Sequence, residues 1–140
     1  MLTANHLLRR TKEKIMIINI HTDERSFYRK ALRLLEPFPP FNRLRKRELD
    51  VLAELFYYNE VGKSVEYNKR MDMIFSRTVR LDIIKNLDIS KDNLNNNLKE
   101  LRKKGFIEEG NKLTKKLIVR PDHVRELIFR FQPESPSSGD

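Results

Sequence analysis

The chain contains no cysteine among its 140 residues, which excludes disulfide bonds, cysteine-ligated zinc ribbons and thiol catalysis. Glycine is also scarce, and Gly62, Gly105, Gly110 and Gly139 do not form a phosphate-binding loop. No run of apolar residues is long enough to span a bilayer. These absences favour a soluble intracellular protein, and we expect a cytoplasmic location, or a virion if the protein is structural.

Sequence patterns for catalysis and metal binding are missing as well. The three histidines, His6, His21 and His123, lie far apart, and none belongs to a metal-ligand motif. The neighbours Glu108 and Glu109 would face opposite sides of a strand, so solvated side chains explain them better than a catalytic pair does. No set of serine, histidine and aspartate can be argued from spacing. We therefore expect no catalytic residue, no metal and no cofactor, and we do not expect an enzyme.

Positive charge is in excess. Lysine and arginine total 29 against 20 aspartates and glutamates, which gives a formal net charge of +9 and a pI of about 9.9. The excess is concentrated in residues 77–120 and 1–36, whereas residues 121–140 carry a net negative charge. Such a balance favours a polyanionic partner, most often nucleic acid. The alternative is a basic surface that only aids solubility.

The clearest organisation lies between Ile83 and Val119, where the pattern predicts a helix, a tight turn, a second helix and a hairpin. Ser90 is a suitable N-cap for the second helix, because its hydroxyl can accept a hydrogen bond from a free amide of the first turn. Leu94, Leu98 and Leu101 follow helical spacing and give this helix one apolar stripe. The predicted bounds are 77–87 for the first helix and 91–104 for the second.

The hairpin, predicted within residues 106–119, follows from glycine placement. Gly105 fits the left-handed position just past the second helix. Gly110 and Asn111 form a turn signal between two short strands. The second strand carries a basic cluster at or near its tip, made of Lys112, Lys115 and Lys116.

This order of elements resembles the winged helix-turn-helix modules of bacterial, archaeal and phage regulators, such as the MarR-like and ArsR-like groups. The motifs Leu-Asp-Ile-Ser at 87–90 and Lys-Lys-Gly-Phe-Ile at 103–107 carry the resemblance, which covers about residues 41–120. Asp88 replaces a customary glycine, and aspartate tolerates a positive φ. The resemblance implies a mainly α (α+β) fold, with the second helix in the DNA major groove and the hairpin along the backbone or minor groove.

The DNA contacts are expected on the outward face of helix 91–104 and on the hairpin. Asn96 is the candidate for a base contact, because an asparagine amide can pair with an adenine edge. The alternative is that the Asn95–Asn97 run is polar surface in a lysine- and asparagine-rich chain, and Asn97 is better explained as a structural contact. The candidate DNA-binding residues are Asp92, Asn93, Asn95, Asn96, Lys99, Lys103, Lys112, Lys115 and Lys116.

One feature of the outward face counts against tight sequence reading. It carries no arginine before Arg102, although arginine to guanine is the commonest specific contact, and it includes Asp92 and Glu100. This composition favours A·T-rich sites, weak specificity or a role without DNA. The leading hypothesis is a transcriptional or replication regulator. The alternative is a structural or protein-docking subunit, for example a small phage or virion component.

The chain before the hairpin is predicted to contain two parts. Residues 1–40 form a basic N-terminal extension, with a buried strand over Ile15–Ile20 and a helix that Thr22 caps and the prolines at 37, 39 and 40 end. Residues 41–120 form the winged helix-turn-helix domain. Its first helix spans 45–59, a loop covers 59–70, and a short strand over 72–75 pairs with the hairpin.

The chain after the hairpin is predicted to form a helix over 121–132 and a disordered tail over 133–140. Four large apolar residues would share one helix face, namely Val124, Leu127, Ile128 and Phe131. So short a helix does not stand in water alone, so this face must pack on something. One candidate is the chain's own N-terminal helix, and the other is a second copy of the chain in a two-fold homodimer. The unpartnered strand Ile15–Ile20 adds weight to the homodimer.

Overall fold

The computed structural model describes residues 14–114 and 126–133. These residues are mainly helical, with five α-helices and one small antiparallel sheet. The helices are α1 (Phe27–Leu35), α2 (Lys46–Val61), α3 (Tyr67–Ile74), α4 (Arg77–Leu87) and α5 (Lys91–Lys103), and a 3-10 turn at Phe41–Arg43 precedes α2. The strands are β1 (Ile107–Glu108) and β2 (Lys112–Leu113). No helix in this part of the chain has the length and hydrophobicity that a membrane crossing requires.

The central element is α2, as the width of its apolar arc predicts. Leu49, Leu52 and Phe56 are fully buried, and Val51 and Leu55 on other sides of the helix are buried too. The four other helices all pack against α2. A single apolar cluster therefore extends from α1 through α2 to the hairpin.

Helices α4 and α5 confirm the two helices predicted at 77–87 and 91–104. The Ser76 hydroxyl accepts a hydrogen bond from the Val79 amide at 3.3 Å and caps the start of α4. Asp88 then adopts the left-handed conformation, with φ 53° and ψ 52°, which ends the helix. The Ser90 hydroxyl accepts from the Asn93 amide at 3.0 Å, so the predicted cap of α5 is confirmed.

The hairpin follows α5 without a linker. Gly105 has φ 87°, and the Phe106 amide donates to the Leu101 carbonyl at 2.9 Å, which closes the end of the helix. The strands pair Ile107 with Leu113, and the turn between them contains two residues with positive φ, Gly110 at 80° and Asn111 at 57°. The hairpin prediction is confirmed as far as Thr114, and its remainder lies outside the described residues.

The predicted strand at 72–75 is wrong, because these residues belong mostly to α3. The Glu66 carboxylate accepts from the amides of Asn68 and Lys69 at 3.0 and 3.2 Å and starts this helix. Met71 and Ile74 are buried against the core at helical spacing. The apolar run has only three residues, 73–75, and was too short to distinguish strand from helix. The predicted 59–70 loop is shortened at both ends by the neighbouring helices.

The predicted strand at Ile15–Ile20 is also wrong: the segment forms no strand and its side chains are exposed, with Met16 at 86%. A strand needs a partner for its backbone groups, and within the described residues β1 and β2 pair only with each other. The helix predicted to start at Thr22 begins instead at Phe27, after reciprocal hydrogen bonds between Asp23 and Ser26. It ends at Leu35, just before the prolines, as predicted.

The predicted C-terminal helix is wrong over its described part, because residues 126–133 form no helix. Phe131 is fully exposed, and Leu127 and Ile128 are 37% and 58% exposed, so the described residues do not bury the predicted apolar face. Phe129, which is off the predicted face, stacks on Phe38 at 5.0 Å between ring centroids. The predictions for residues 121–125, which include Val124, and for the tail from 134 onward fall outside the described residues.

Candidate nucleic-acid interface

The outward face of α5 is a continuous polar surface. The apolar stripe of Leu94, Leu98 and Leu101 is buried, which turns the opposite side of the helix to solvent. All the predicted contact residues of α5 are exposed, whereas Asn97 is half-buried, as its structural assignment requires. The exposed predicted residues on α5 are Asp92, Asn93, Asn95, Asn96, Lys99 and Lys103, and Lys112 is exposed on β2. Lys115 and Lys116 lie outside the described residues.

The hairpin is fixed against one flank of α5. The Arg102 guanidinium donates to the Asn111 side-chain oxygen at 2.9 and 3.2 Å, which ties the last turn of α5 to the tip of the hairpin. The Thr114 hydroxyl donates to the Gly105 carbonyl at 2.9 Å and holds the base of the hairpin. Arg102 thus has an internal partner, while Lys112 stays exposed beside it.

The start of α2 is fixed against the other flank. Lys104 Nζ lies 2.6 Å from the buried Glu48 carboxylate. Arg43 donates to the Lys104 carbonyl at 2.6 Å, so it satisfies a free carbonyl at the end of α5. An open groove of about 570 Å³ separates the two helices. Its lining residues are Arg45, Lys46, Arg47 and Glu48 from α2 and Asn96, Asn97, Lys99 and Glu100 from α5.

Much of the basic charge of α1 has an internal role. The Asp50 carboxylate is buried in α2 and accepts three hydrogen bonds from Arg33 at 2.9, 3.1 and 3.3 Å. Arg29 and Arg47 lie 3.7 and 3.6 Å from the same carboxylate. Because a buried carboxylate is costly without partners, the contacts of Arg29 and Arg33 with Asp50 hold α1 on α2, whereas Arg47 belongs to α2 itself.

A third buried carboxylate joins α2 to α4 and to the segment before α1. Glu54 of α2 is 2.8 Å from the Arg25 guanidinium before α1, and it accepts a hydrogen bond from Asn86 of α4. Burial raises the pKa of Glu54, and the charge of Arg25 and the Asn86 hydrogen bond oppose this effect. The sequence offered one signal for these sites: Asp50 and Glu54 are spaced i, i+4 among the apolar residues in the middle of α2.

The cations around α5 differ from those of α1. Among the described residues, no hydrogen bond or ion pair engages the side-chain nitrogens of Arg45, Lys46, Lys99, Lys103 or Lys112. These unpaired cations lie on α5, on the hairpin and at the start of α2. The surface can therefore bind an anion without breaking an internal ion pair.

No cluster of three or more potential metal-ligating side chains exists in residues 14–114 and 126–133. Comparison with protein-family models, curated proteins and solved structures finds no match to this chain. The interface is therefore argued from its own geometry and charge.

Proposed function

We propose that the protein binds double-stranded DNA as a winged helix-turn-helix module and regulates transcription or replication. The observation that supports this most is the exposed polar face of α5, which carries unpaired lysines between the hairpin and α2. A major groove about 12 Å wide admits a helix of this kind, and a preceding capped helix with a tight turn supports it from behind.

Two kinds of contact are assigned to this face. Lys99, Lys103 and Lys112 neutralise phosphates, which gives affinity without sequence information. Asn96 projects from the middle of the exposed face and offers an amide to a base edge. We expect Asn96→Ala to cost about 1–3 kcal/mol on a preferred site and much less on random DNA. Equal losses on both DNAs would remove Asn96 from base recognition.

The experiment that tests the proposal is binding to random-sequence duplex DNA over a range of salt concentrations. Wild type should show a log K that falls linearly with log salt, and Lys103→Ala, Lys112→Ala should flatten that slope by about 0.9 for each lost contact. The matched control is Lys30→Ala, Lys63→Ala, which removes two charges that already have internal partners. A wild type without salt-dependent binding, or a double variant with the wild-type slope, would contradict the proposal.

A protein-docking role is the second candidate, and one observation favours it. The segment Ile15–Ile20 exposes adjacent large apolar side chains, including Met16, Ile17 and Ile18. Soluble proteins seldom expose such a group without a partner. In that case Met16→Ser, Ile18→Ser would abolish association with the partner and leave DNA binding unchanged.

A further inference from the structure

We propose that the start of α2 is a second phosphate-contacting surface, on the opposite side of α5 from the hairpin. We call the side chains of Arg45 and Lys46 the α2 pair. This inference rests on the proposed function and adds to it: α5 would be held between two DNA backbones, with the hairpin on one and the α2 pair on the other.

The charge balance of the groove between α2 and α5 supports a phosphate partner. Two carboxylates line it, Glu48 and Glu100, and Lys104 lies 2.6 and 3.9 Å from them respectively. This lysine offsets one of the two negative charges at short range. The three cations of the α2 pair and Lys99 then exceed the one remaining carboxylate charge around the groove. Charge of this sign on two facing elements complements the backbone of a nucleic acid.

Arg45 has no structural role that would occupy its side chain. It is the residue before α2, with φ −78° and ψ 161°, where serine, threonine, aspartate or asparagine would normally cap the helix. An arginine has no acceptor for that purpose, and its side chain forms no cap hydrogen bond. Its backbone amide donates to the Glu48 carboxylate at 3.2 Å, and its carbonyl accepts from the Leu49 amide at 2.9 Å. The guanidinium is therefore free to bind a partner.

Arg47 is not part of this surface, although it lines the same groove. Its guanidinium lies 3.6 Å from the Asp50 carboxylate and donates to the Leu87 carbonyl at 3.4 Å. It therefore helps to join α2 to the end of α4. The α2 pair differs from Arg47 in having no such partner among the described residues.

The position of the groove relative to α5 determines which DNA backbone the α2 pair would contact. A helix with its side chains is about 10–12 Å across and fills a major groove of similar width, so a phosphate backbone lies on each side of it. The Arg102–Asn111 hydrogen bond places the hairpin on one side of α5. The groove lined by Asn97 and Glu100 places the α2 pair on the other. Lys112 and the α2 pair would thus contact different phosphates.

The test compares the salt dependence of duplex binding for three double variants. Arg45→Ala, Lys46→Ala should flatten the slope of log K against log salt by about 0.9 for each lost contact. Lys103→Ala, Lys112→Ala should do the same independently, and the quadruple variant should lose the sum of the two effects. Lys30→Ala, Lys63→Ala is the control and should keep the wild-type slope. Arg45→Lys, which retains the charge, should also keep it.

The outcomes separate this inference from the proposed function. If wild type does not bind duplex DNA in a salt-dependent way, both fail. If Lys103→Ala, Lys112→Ala flattens the slope but Arg45→Ala, Lys46→Ala does not, the second surface is wrong and the proposed function stands. A quadruple variant no weaker than either double variant would show that the two sets share the same phosphates, which also overturns the inference. Arg45→Gln, Lys46→Gln, with an unchanged thermal midpoint, replaces the alanine pair if that pair unfolds.

Discussion

Asp88 holds the turn between α4 and α5 in the left-handed region, at φ 53° and ψ 52°. Aspartate tolerates this conformation because its short polar side chain can hydrogen-bond locally. The sequence predicted a positive φ here and at Gly105, which has φ 87°. Local backbone geometry of this kind is predictable because one or two residues determine it.

The buried carboxylates were not predictable in the same way. Glu48, Asp50 and Glu54 are all buried, yet their cationic partners are distant in sequence: Lys104 for Glu48 and Arg33 for Asp50. Only the packing of α1 and α5 on α2 brings these charges together. The sequence analysis therefore attributed the basic excess of the N-terminal region to an external partner. Part of that excess instead pairs with buried carboxylates of α2.

The contribution of Glu54 to the free energy of unfolding should fall as pH rises. Because burial raises its pKa above the ordinary value of 4.5, the folded state holds this proton more tightly than the unfolded state does. Its contribution to stability is therefore fully present below the unfolded pKa and is lost as pH rises through the folded one. Urea unfolding from about pH 4 to about pH 7 should show wild type losing stability relative to Glu54→Gln.

Glu66→Gln is the matched control for that measurement, because the pKa of Glu66 is shifted in the opposite direction. The Asn68 and Lys69 amides donate to the Glu66 carboxylate and lower its pKa. Wild type should therefore gain stability relative to Glu66→Gln as pH rises. A wild type that gains stability relative to Glu54→Gln over the same range would show that the pKa of Glu54 is not raised in the folded state.

At the scale of elements, the start of α5 depends on its cap. The Ser90 hydroxyl accepts from the Asn93 amide, so Ser90→Ala leaves that amide without its partner. We expect a loss of about 1 kcal/mol in the free energy of unfolding, measured by urea denaturation. Ser64→Ala, an exposed serine in the turn between α2 and α3, should change it by less than about 0.5 kcal/mol. A Ser90→Ala variant as stable as the control would contradict the cap.

The elements that the sequence predicted correctly have matching signals at both ends. Helices α4 and α5 each have a capping serine and a left-handed residue after the helix, at Asp88 and Gly105. Helix α3 was missed because its start depends on Glu66, an uncommon cap, and because its apolar run fits a strand equally well. The predictions for Ile15–Ile20 and 126–133 were wrong for a shared reason. An apolar pattern shows which side chains a segment could bury, but it does not show whether another element packs against them.

At the scale of the whole molecule, the exposed apolar side chains of the two outer segments predict self-association. Phe131 is 104% exposed and Ile18 75%, and a two-fold dimer would bury such groups. Sedimentation at micromolar concentration should show a dimer for wild type and a folded monomer for Leu127→Asp, Phe131→Asp. A monomeric wild type would exclude the dimer. A variant that unfolds would contradict the exposed positions of Leu127 and Phe131.

One part of the candidate site could be predicted from the sequence, and another part could not. Helical periodicity alone predicted the exposed residues of α5, because burial of the Leu94, Leu98 and Leu101 stripe fixes which side faces solvent. The α2 pair was not predicted, because Arg45 and Lys46 lie about fifty residues before Lys99 and only the tertiary fold places them around one groove.

The most direct test of the central claim is an NMR titration of the labelled protein with random-sequence duplex DNA, followed residue by residue through backbone amide shifts. We predict saturable shifts along the outward face of α5, centred on Asn96 and Lys99, with further shifts at Lys112 and at the start of α2. Amides of α1 and α3 should stay near their free positions. Shifts confined to α1 and α3, or no shifts in α5 at saturating DNA, would contradict the assignment of this face to nucleic-acid binding.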